Sequence, residues 1–331
     1  MTDKTNTKSI NGKKPWMNIF LFFTTILTVF AAGGQLLNVL FVYIDDFEIR
    51  PVGFWENIWL EAVKNGVIFS ASLMGILLAH EMGHYLFARK NKVAASLPYF
   101  IPLPPPFFLG TMGAIIVMKG RIKSKNALME IGAAGPLAGM VVAILLLFIG
   151  LANCPVGPIP EGGFIEGQSL LYIAAKKLMI GTIPDGYDIY LDAAPMVWAA
   201  WAGMLVTMIN LFPVGQLDGG HVFYALFGKA HQRIAQFFLF AVFALGAGVA
   251  LHGGISAYLK GFDFDAIIES AMPGVTWFVF GGMLALVFRR RKLGHPPTGD
   301  ADLSTKHKLI GYLCIVVFII TFMPVVMRPA Y

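Results

Sequence analysis

Long apolar stretches alternate with shorter polar ones along the 331-residue chain. A transmembrane helix needs about 20 consecutive, mostly apolar residues, because each residue adds about 1.5 Å along the helix axis. Seven stretches approach this length, and the sixth is the shortest: 17–44, 67–87, 127–151, 193–212, 234–251, 275–288 and 309–326. The pattern predicts an all-α polytopic membrane protein with about seven transmembrane helices.

The segment between the second and third predicted spans, residues 88–126, departs from this pattern. It contains SLPYFIPLPPPFFLGTMGAIIVMKG, an apolar run in which repeated prolines exclude an ordinary helix. The GAIIVM part is typical of a strand. Non-helical backbone at membrane depth must be buried in protein or line a wet cavity. We therefore expect a small membrane-associated β hairpin or strand region here. The acidic, glycine-rich loop 152–192 shows no clear periodicity.

The charge distribution supports a membrane protein and predicts its orientation. Only 13% of the residues are charged, against about 25% in soluble domains. With the N-terminus inside, 19 of the 25 lysines and arginines fall in inner segments and six in outer ones, which follows the positive-inside rule. We expect a multi-pass protein of the cell (cytoplasmic) membrane with a cytosolic N-terminus. The basic loops explain the net charge of +6. We therefore expect the protein to lie in a lipid bilayer and not to bind nucleic acid.

The chain divides into a short tail and one membrane-embedded unit. We expect residues 1–16 to form a cytosolic N-terminal tail and residues 17–327 to form a single domain. The motifs that carry chemistry fall within 66–225, and the part from 228 to 331 adds further transmembrane helices. No internal repeat and no nucleotide-binding glycine pattern are evident in the sequence.

Residues 80–84 read HEMGH, near the inner end of the second predicted span. Ionisable groups at membrane depth are costly and therefore indicate function. His80 and His84 lie four residues apart, so they share one helix face and can bind one Zn²⁺ through their ring nitrogens. Glu81 beside them can take a proton from a zinc-bound water as a general base. HExxH on a helix is a motif of zinc metalloproteases.

A catalytic zinc usually has three protein ligands and one open position. Of the 19 acidic residues, 16 fall in predicted loops or the tail, which leaves Glu81, Glu130 and Asp218. Glu130 begins the third span, where an acid at a helix N-terminus is favourable for structural reasons alone. Asp218, in NLFPVGQLDGGHV after the fourth span, is the predicted third ligand. A turn or capping aspartate before two glycines is the alternative.

Two other classes of protein share parts of this pattern. Another membrane zincin would use a later glutamate as third ligand, and Asp218 with the two glycines after it argues against that class. A non-catalytic zinc-binding or transport protein would also place ionisable residues in broken helices. Glu81 separates these alternatives, because a hydrolase requires it as a base whereas a transporter can dispense with it or use it as a ligand.

The HEMGH and NLFPVGQLDGGH motifs together resemble the site-2 protease family of intramembrane zinc metalloproteases, peptidase family M50. GTMGAII and EIGAAGPLAGM, between them, resemble that family in order and position. The resemblance implies that the chain cleaves a transmembrane segment of a client protein, as in regulated intramembrane proteolysis. It implies Zn²⁺ as cofactor, His80, His84 and Asp218 as ligands, and Glu81 as general base. Without room for a PDZ or CBS domain, the chain resembles a compact family member.

Three further residues are predicted to act on the substrate. Asn210 matches the asparagine of the family's later motif, which implies contact with the substrate backbone or a developing oxyanion; a simple interhelical hydrogen bond is the alternative. Gly110 and Gly113 lie in the GTMGAII segment. We predict that this strand offers an unpaired edge to an extended client, by strand addition. The alternative is a hairpin that only fills the cavity.

Overall fold

The computed structural model describes residues 15–36, 38–40, 54–105, 107–118, 122–159, 164–288, 298 and 302–330. Most of the predicted tail 1–16 and the last part of the first predicted span lie outside these residues.

Helices dominate the described residues, and each predicted span coincides with a helix over at least part of its length. They are α1 Trp16–Gly33, α2 Phe54–Lys90, α3 Lys125–Leu151, α4 Leu170–Met179, α5 Pro195–Asn210, α6 Asp218–Phe227, α7 His231–Leu259, α8 Phe264–Ala271, α9 Pro273–Phe288 and α10 Thr305–Thr321. Short strands connect them: β1 Tyr99–Pro102, β2 Thr111–Ile115, β3 Val156–Pro158, β4 Phe164–Glu166, β5 Tyr187–Ile189 and β6 Met327–Pro329.

Five helical segments of the described chain are long and apolar enough to cross a membrane: α1, Glu56–Lys90 of α2, α3, α6 with α7, and α8 with α9. The spans predicted over 193–212 and 309–326 fall on the shorter helices α5 and α10, of 16 and 17 residues. The mostly helical membrane architecture is confirmed, and the number of seven spans stays a prediction.

The second predicted span is part of a much longer helix. We expected residues 67–87, and α2 extends over 37 residues. Its first turns carry Glu56, Glu61 and Lys64, which are polar but strong helix formers. Hydropathy therefore detects only the apolar part of this helix, whereas the backbone hydrogen bonds continue through the polar part.

α5 is short because protein surrounds it. Its side chains are buried along almost the whole helix, against α2 and α3. Trp201 at its centre is fully buried, and its indole N–H donates to the Gly167 carbonyl at 2.9 Å. The core of the molecule is thus formed by α2, α3 and α5, and the HEMGH motif lies on the helix at its edge.

The predicted hairpin is present in the proline-rich segment. β1 and β2 pair in antiparallel register, with Phe100 opposite Ala114, and the register shifts before Pro102. The turn packs on α1, where the Thr28 hydroxyl donates to the Gly110 carbonyl at 2.6 Å. Gly110 at the end of the turn is therefore buried against α1, whereas Phe107 and Phe108 within the turn are exposed.

The loop 152–192, in which the sequence shows no periodicity, is ordered by long-range pairing. β3 pairs with β5, and β4 pairs with β6 from the far end of the chain. We call these four strands and α4 the strand layer. β6 begins one residue after the end of the predicted seventh span at 326, and α10 already ends at Thr321.

A buried ionic cluster lies inside the strand layer. The Lys176 ammonium is 2.6 Å from Asp188 Oδ1 and 3.4 Å from Glu166 Oε1. The Tyr172 hydroxyl donates to the same Glu166 oxygen at 3.0 Å. Burial, together with the nearby Glu166 carboxylate, raises the pKa of Tyr172 well above its usual value. The cluster links α4 to the strands on either side of it.

Candidate metal centre

The α5–α6 turn directs Asp218 towards the HEMGH motif. Gly219 and Gly220 follow Asp218, and an added Cβ at either residue would overlap a backbone carbonyl of the turn, that of Leu211 or Gly215. The two glycines therefore allow the turn to fold tightly on itself. Asp218 becomes the first residue of α6, with its side chain 15% exposed.

Three side chains converge on one point between α2 and α6. His80 Nε2 and His84 Nε2 are 3.2 Å apart, and each lies 3.2 Å from Asp218 Oδ2. Four tetrahedral ligands at about 2.0–2.1 Å from zinc lie about 3.3 Å from one another. The triangle has this size, and its residue types are those that zinc prefers. The three residues thus fit one zinc ion, with a fourth direction free of protein ligands among the described residues.

A backbone carbonyl holds the His84 ring in one tautomer. His84 Nδ1 lies 2.7 Å from the Ile131 oxygen on α3. A carbonyl can only accept, so Nδ1 carries the proton and Nε2 presents its lone pair to the triangle. Histidine ligands of zinc are commonly oriented by such a second hydrogen bond. Both histidines are buried, so water does not compete for the hydrogen-bonding and ligand atoms of their rings.

Glycines on α3 make room for the metal-facing side of α2. An added Cβ on Gly135 would overlap Nε2 of His84, and one on Gly139 would lie 3.1 Å from the Cβ of His80. An added Cβ on Gly83 of α2 would likewise overlap the Ala134 carbonyl of α3. The EIGAAGPLAGM segment, to which the sequence alone assigned no role, therefore sets the distance between the two helices at the centre.

Glu81 and Asn210 lie beside this triangle. Glu81 is only 5% exposed, although it is acidic. The Asn210 amide nitrogen, at the end of α5, is 3.5 Å from His80 Nε2. Asn210 thus contacts the triangle, and Glu81 directly follows one of its residues on α2.

The two glycines of the hairpin have local structural partners. Gly110 has φ +68, and an added Cβ would overlap the Thr28 carbonyl of α1. Gly113 has φ +97, and its N–H donates to the Thr111 hydroxyl at 3.0 Å. These positive φ angles require glycine. The contacts of Gly110 are with α1 and its own turn, at a different place from the triangle.

Glu130, the third acid at membrane depth, serves packing. Its carboxylate accepts from Lys90 at 2.9 Å, from Asn91 at 2.8 Å and from His307 at 3.3 Å. It thereby joins the end of α2, α3 and α10. His221, one turn after Asp218, packs with its Cβ against the Gly132 position of α3.

Comparisons with known proteins agree with this chemistry. Residues 68–251, more than half of the chain, match the model of Peptidase family M50. "Probable zinc metalloprotease EGY2, chloroplastic" of Arabidopsis thaliana is 31% identical over 241 residues, 69% of this chain and 42% of that protein. "Probable zinc metalloprotease EGY1, chloroplastic" of Oryza sativa subsp. japonica is 34% identical over 197 residues, 57% of this chain and 33% of that protein.

This chain spans less than half the length of these relatives. No solved structure is significantly similar to it. The matched residues 68–251 include HEMGH, the α3 glycines and Asp218, and so cover every residue of the metal triangle. With the family model matching more than half of its residues, the chain belongs to peptidase family M50.

Proposed function

We propose that the chain is an intramembrane zinc metalloprotease, which hydrolyses a peptide bond within or near a transmembrane segment of a client protein. The observation that carries this proposal is the triangle of His80 Nε2, His84 Nε2 and Asp218 Oδ2, with sides of 3.2 Å, next to the buried Glu81. A zinc peptidase needs a set of metal ligands next to a general base. Here α2 supplies two ligands and the base, and α6 supplies the third ligand.

Each residue of the site has a separate role in the proposed hydrolysis. Zinc, when bound, lowers the pKa of its water towards about 7, so that a nucleophile is available at neutral pH. Glu81 accepts the proton of the attacking water and passes it to the leaving amine. His84 keeps its orientation through the Ile131 carbonyl. The Asn210 amide donates to the substrate carbonyl or its developing oxyanion.

The surroundings of the site define the class of substrate. The HEMGH motif lies within a candidate span, Glu56–Lys90, so a client reaches it from the membrane. A helical client must unwind there, since its peptide bonds are hydrogen-bonded internally. The loop charges favour a cytosolic N-terminus in a cytoplasmic membrane. The relatives are named as chloroplastic, and fractionation of tagged protein will test which membrane holds this chain.

The test of the activity is a comparison of single substitutions in co-expression with single-span membrane proteins. Glu81→Gln should lower product by about a thousandfold, because the base is lost, while zinc stays stoichiometric. His80→Ala should lose both zinc and product. Glu61→Gln is the control, since Glu61 is an exposed acid on the same helix.

Two results would contradict this mechanism. If the Glu81→Gln protein cleaved at the rate of the unsubstituted protein, Glu81 could not be the general base. Loss of zinc from that protein, as complete as from His80→Ala, would make Glu81 a ligand. The non-catalytic zinc-binding or transport alternative would then explain the site better than hydrolysis.

We also propose that β2 and the residues after it receive the extended client by strand addition. β1–β2 is a two-stranded sheet, and each strand of such a sheet has an edge that can pair with another chain. Exposed apolar side chains, Met112 at 65% and Ile115 at 56%, accompany this edge. They offer contacts for an apolar client segment.

Proline substitution at Ile116 tests strand addition better than one at Gly113. Gly113 has φ +97 and an internal hydrogen bond, so proline there would distort the hairpin itself. Ile116 directly follows β2, and its N–H donates no backbone hydrogen bond among the described residues. Ile116→Pro should slow cleavage at least tenfold with zinc unchanged, whereas Ile116→Ala should cleave nearly normally. Equal rates for the two variants would favour a hairpin that only fills the cavity.

A further inference from the structure

A cavity whose lining includes several basic and hydroxyl side chains, here called the basic cavity, lies where the end of α7 meets α8 and β6. Its volume is about 290 Å³. His252, Ser256 and Lys260 line it from the end of α7, Ser270 lines it from α8, and Arg328 lines it from β6. Three basic side chains and two hydroxyls therefore surround one space, far along the chain from the HEMGH motif.

The basic groups of this cavity lack acidic partners within the described part of the chain. No acidic residue lines the cavity. Neither His252, Lys260 nor Arg328 forms an ion pair with a described acid. Only six of the 25 lysines and arginines fall in predicted outer segments, and two of these six meet here. The lining thus carries positive and no negative charge, while Asp263, Asp265 and Glu269 of the same outer segment lie outside it.

An apolar groove of about 510 Å³ continues from the basic cavity along α7. It shares His252, Gly253, Ser270 and Arg328 with that cavity, and its remaining lining is apolar or glycine: Ala244, Leu245, Gly248, Val249, Pro273 and Val325. The α7 face from the groove to Lys260 extends about 24 Å at about 1.5 Å per residue.

The position of this face relative to the membrane matches a lipid. The apolar part lies inside the candidate span Asp218–Leu259, and Lys260 is the first residue beyond it. Because the candidate span ends at Leu259, we expect the basic end at headgroup level and the groove at the level of the acyl chains. β6 is held by its ladder with β4, with Arg328 opposite Ile165, so the guanidinium is supplied by a fixed strand.

We propose that the cavity and groove bind one anionic phospholipid. Its phosphate lies among Lys260, Arg328 and His252, and the hydroxyls of Ser256 and Ser270 donate to phosphate oxygens. Its acyl chain lies in the groove on α7. Basic residues at a membrane surface attract anionic headgroups, and the groove selects a lipid over a free phosphate. The bound lipid would connect α7, α8 and the C-terminal strand.

The experiment compares lipid retention by the purified full chain in nanodiscs. Nanodiscs of phosphatidylcholine with a minor fraction of phosphatidylglycerol are the probe, and native mass spectrometry counts retained lipids. The unsubstituted protein should retain one phosphatidylglycerol in preference to phosphatidylcholine. The double variant Lys260→Gln, Arg328→Gln should reduce this retention about tenfold or more. Its control is Lys64→Gln, Lys177→Gln, which removes two exposed lysines from predicted outer segments.

A second variant tests the groove without changing charge. An added Cβ at Gly248 meets no atom within 4 Å, so we expect the side chain of Gly248→Leu to extend into the groove that Gly248 lines. It should reduce retention of phosphatidylglycerol as strongly as the charge variant. Gly282→Leu, in equally open space on α9, is the control and should retain the lipid. Zinc content of all variants reports that the rest of the protein is folded.

Three outcomes would overturn the proposal. Retention could be equal in the cavity variants and in their controls. Phosphatidylcholine could be retained as well as phosphatidylglycerol, so that charge plays no part. Glycerol phosphate could displace the lipid completely at equal concentration, which would identify a site for free phosphate compounds or acidic client segments rather than for a lipid.

Discussion

His84 is constrained on three sides at the candidate metal centre. Its Nδ1 donates to the Ile131 carbonyl, its Nε2 faces His80 and Asp218, and its ring lies against Gly135. A ring held in this way loses little conformational entropy when a metal binds. The orientation of His84 therefore also depends on Gly135, because the ring occupies the volume that a Cβ at residue 135 would fill.

Gly135→Ala should weaken zinc binding by about tenfold or more, as loss of supporting contacts around a metal ligand commonly does. The added Cβ would overlap His84 Nε2, so the ring must turn away from the triangle or from Ile131. Competition with a chromophoric chelator measures the affinity. Gly75→Ala on α2, where the added Cβ meets no atom, is the control and should bind zinc normally. Unchanged affinity in the Gly135 variant would show that the helices can separate without loss.

At the scale of the element, the ionic cluster of Glu166, Tyr172, Lys176 and Asp188 attaches α4 to the strand layer. Lys176 has a side chain only 9% exposed, between carboxylates on β4 and β5. A buried charge of this kind is stable only with its partners, since desolvation of an unpaired ion is costly. The helix therefore depends on the strands, and the strands depend on the helix.

Lys176→Met should reduce the free energy of unfolding of the strand layer by about 3 kcal/mol, because two carboxylates are left without their cation. Hydrogen exchange of β4 and β5, with limited proteolysis of loop 152–192, measures the effect. The adjacent Lys177 is exposed, so Lys177→Met is a matched control and should change protection by no more than about 0.5 kcal/mol. Equal protection in both variants would contradict a structural role for the cluster.

At the scale of the molecule, the metal centre connects elements that are distant in sequence. His80 and His84 lie on α2, and Asp218 begins α6, with α3 and α5 between them in the chain. A zinc ion at the triangle would bind the folded arrangement and not the unfolded chain. Metal binding and global stability should therefore be coupled.

Removal of zinc should lower the melting temperature of the whole protein. A ligand present at a thousand times its dissociation constant adds about 4 kcal/mol of stability. Thermal unfolding with and without a chelator measures the shift. Asp218→Asn should remove the shift, whereas Asp263→Asn, at the aspartate that caps α8, should keep it. A chelator shift of full size in the Asp218 variant would exclude that residue as a ligand.

Much of the architecture follows from local patterns. Apolar runs predict α1, α2, α3, α7 and α9, and prolines followed by GAIIVM predict the β1–β2 hairpin. HEMGH identifies the two histidines at one helix turn, and the turn residues around Asp218 indicate where a third ligand can face them. These features depend on residues near one another in sequence, so helix periodicity and turn chemistry determine them.

The class of protein, most of its helices and the residues proposed to hold zinc therefore follow from local sequence patterns. Tertiary structure alone decided the Ile131 carbonyl that orients His84, the fit of Gly135, the β4–β6 ladder and the basic cavity at Lys260 and Arg328. The physical reason is the same in each case. A carbonyl, the absence of a Cβ or a pairing of distant strands leaves no periodic signal in the sequence, and its partner is set only when the helices pack.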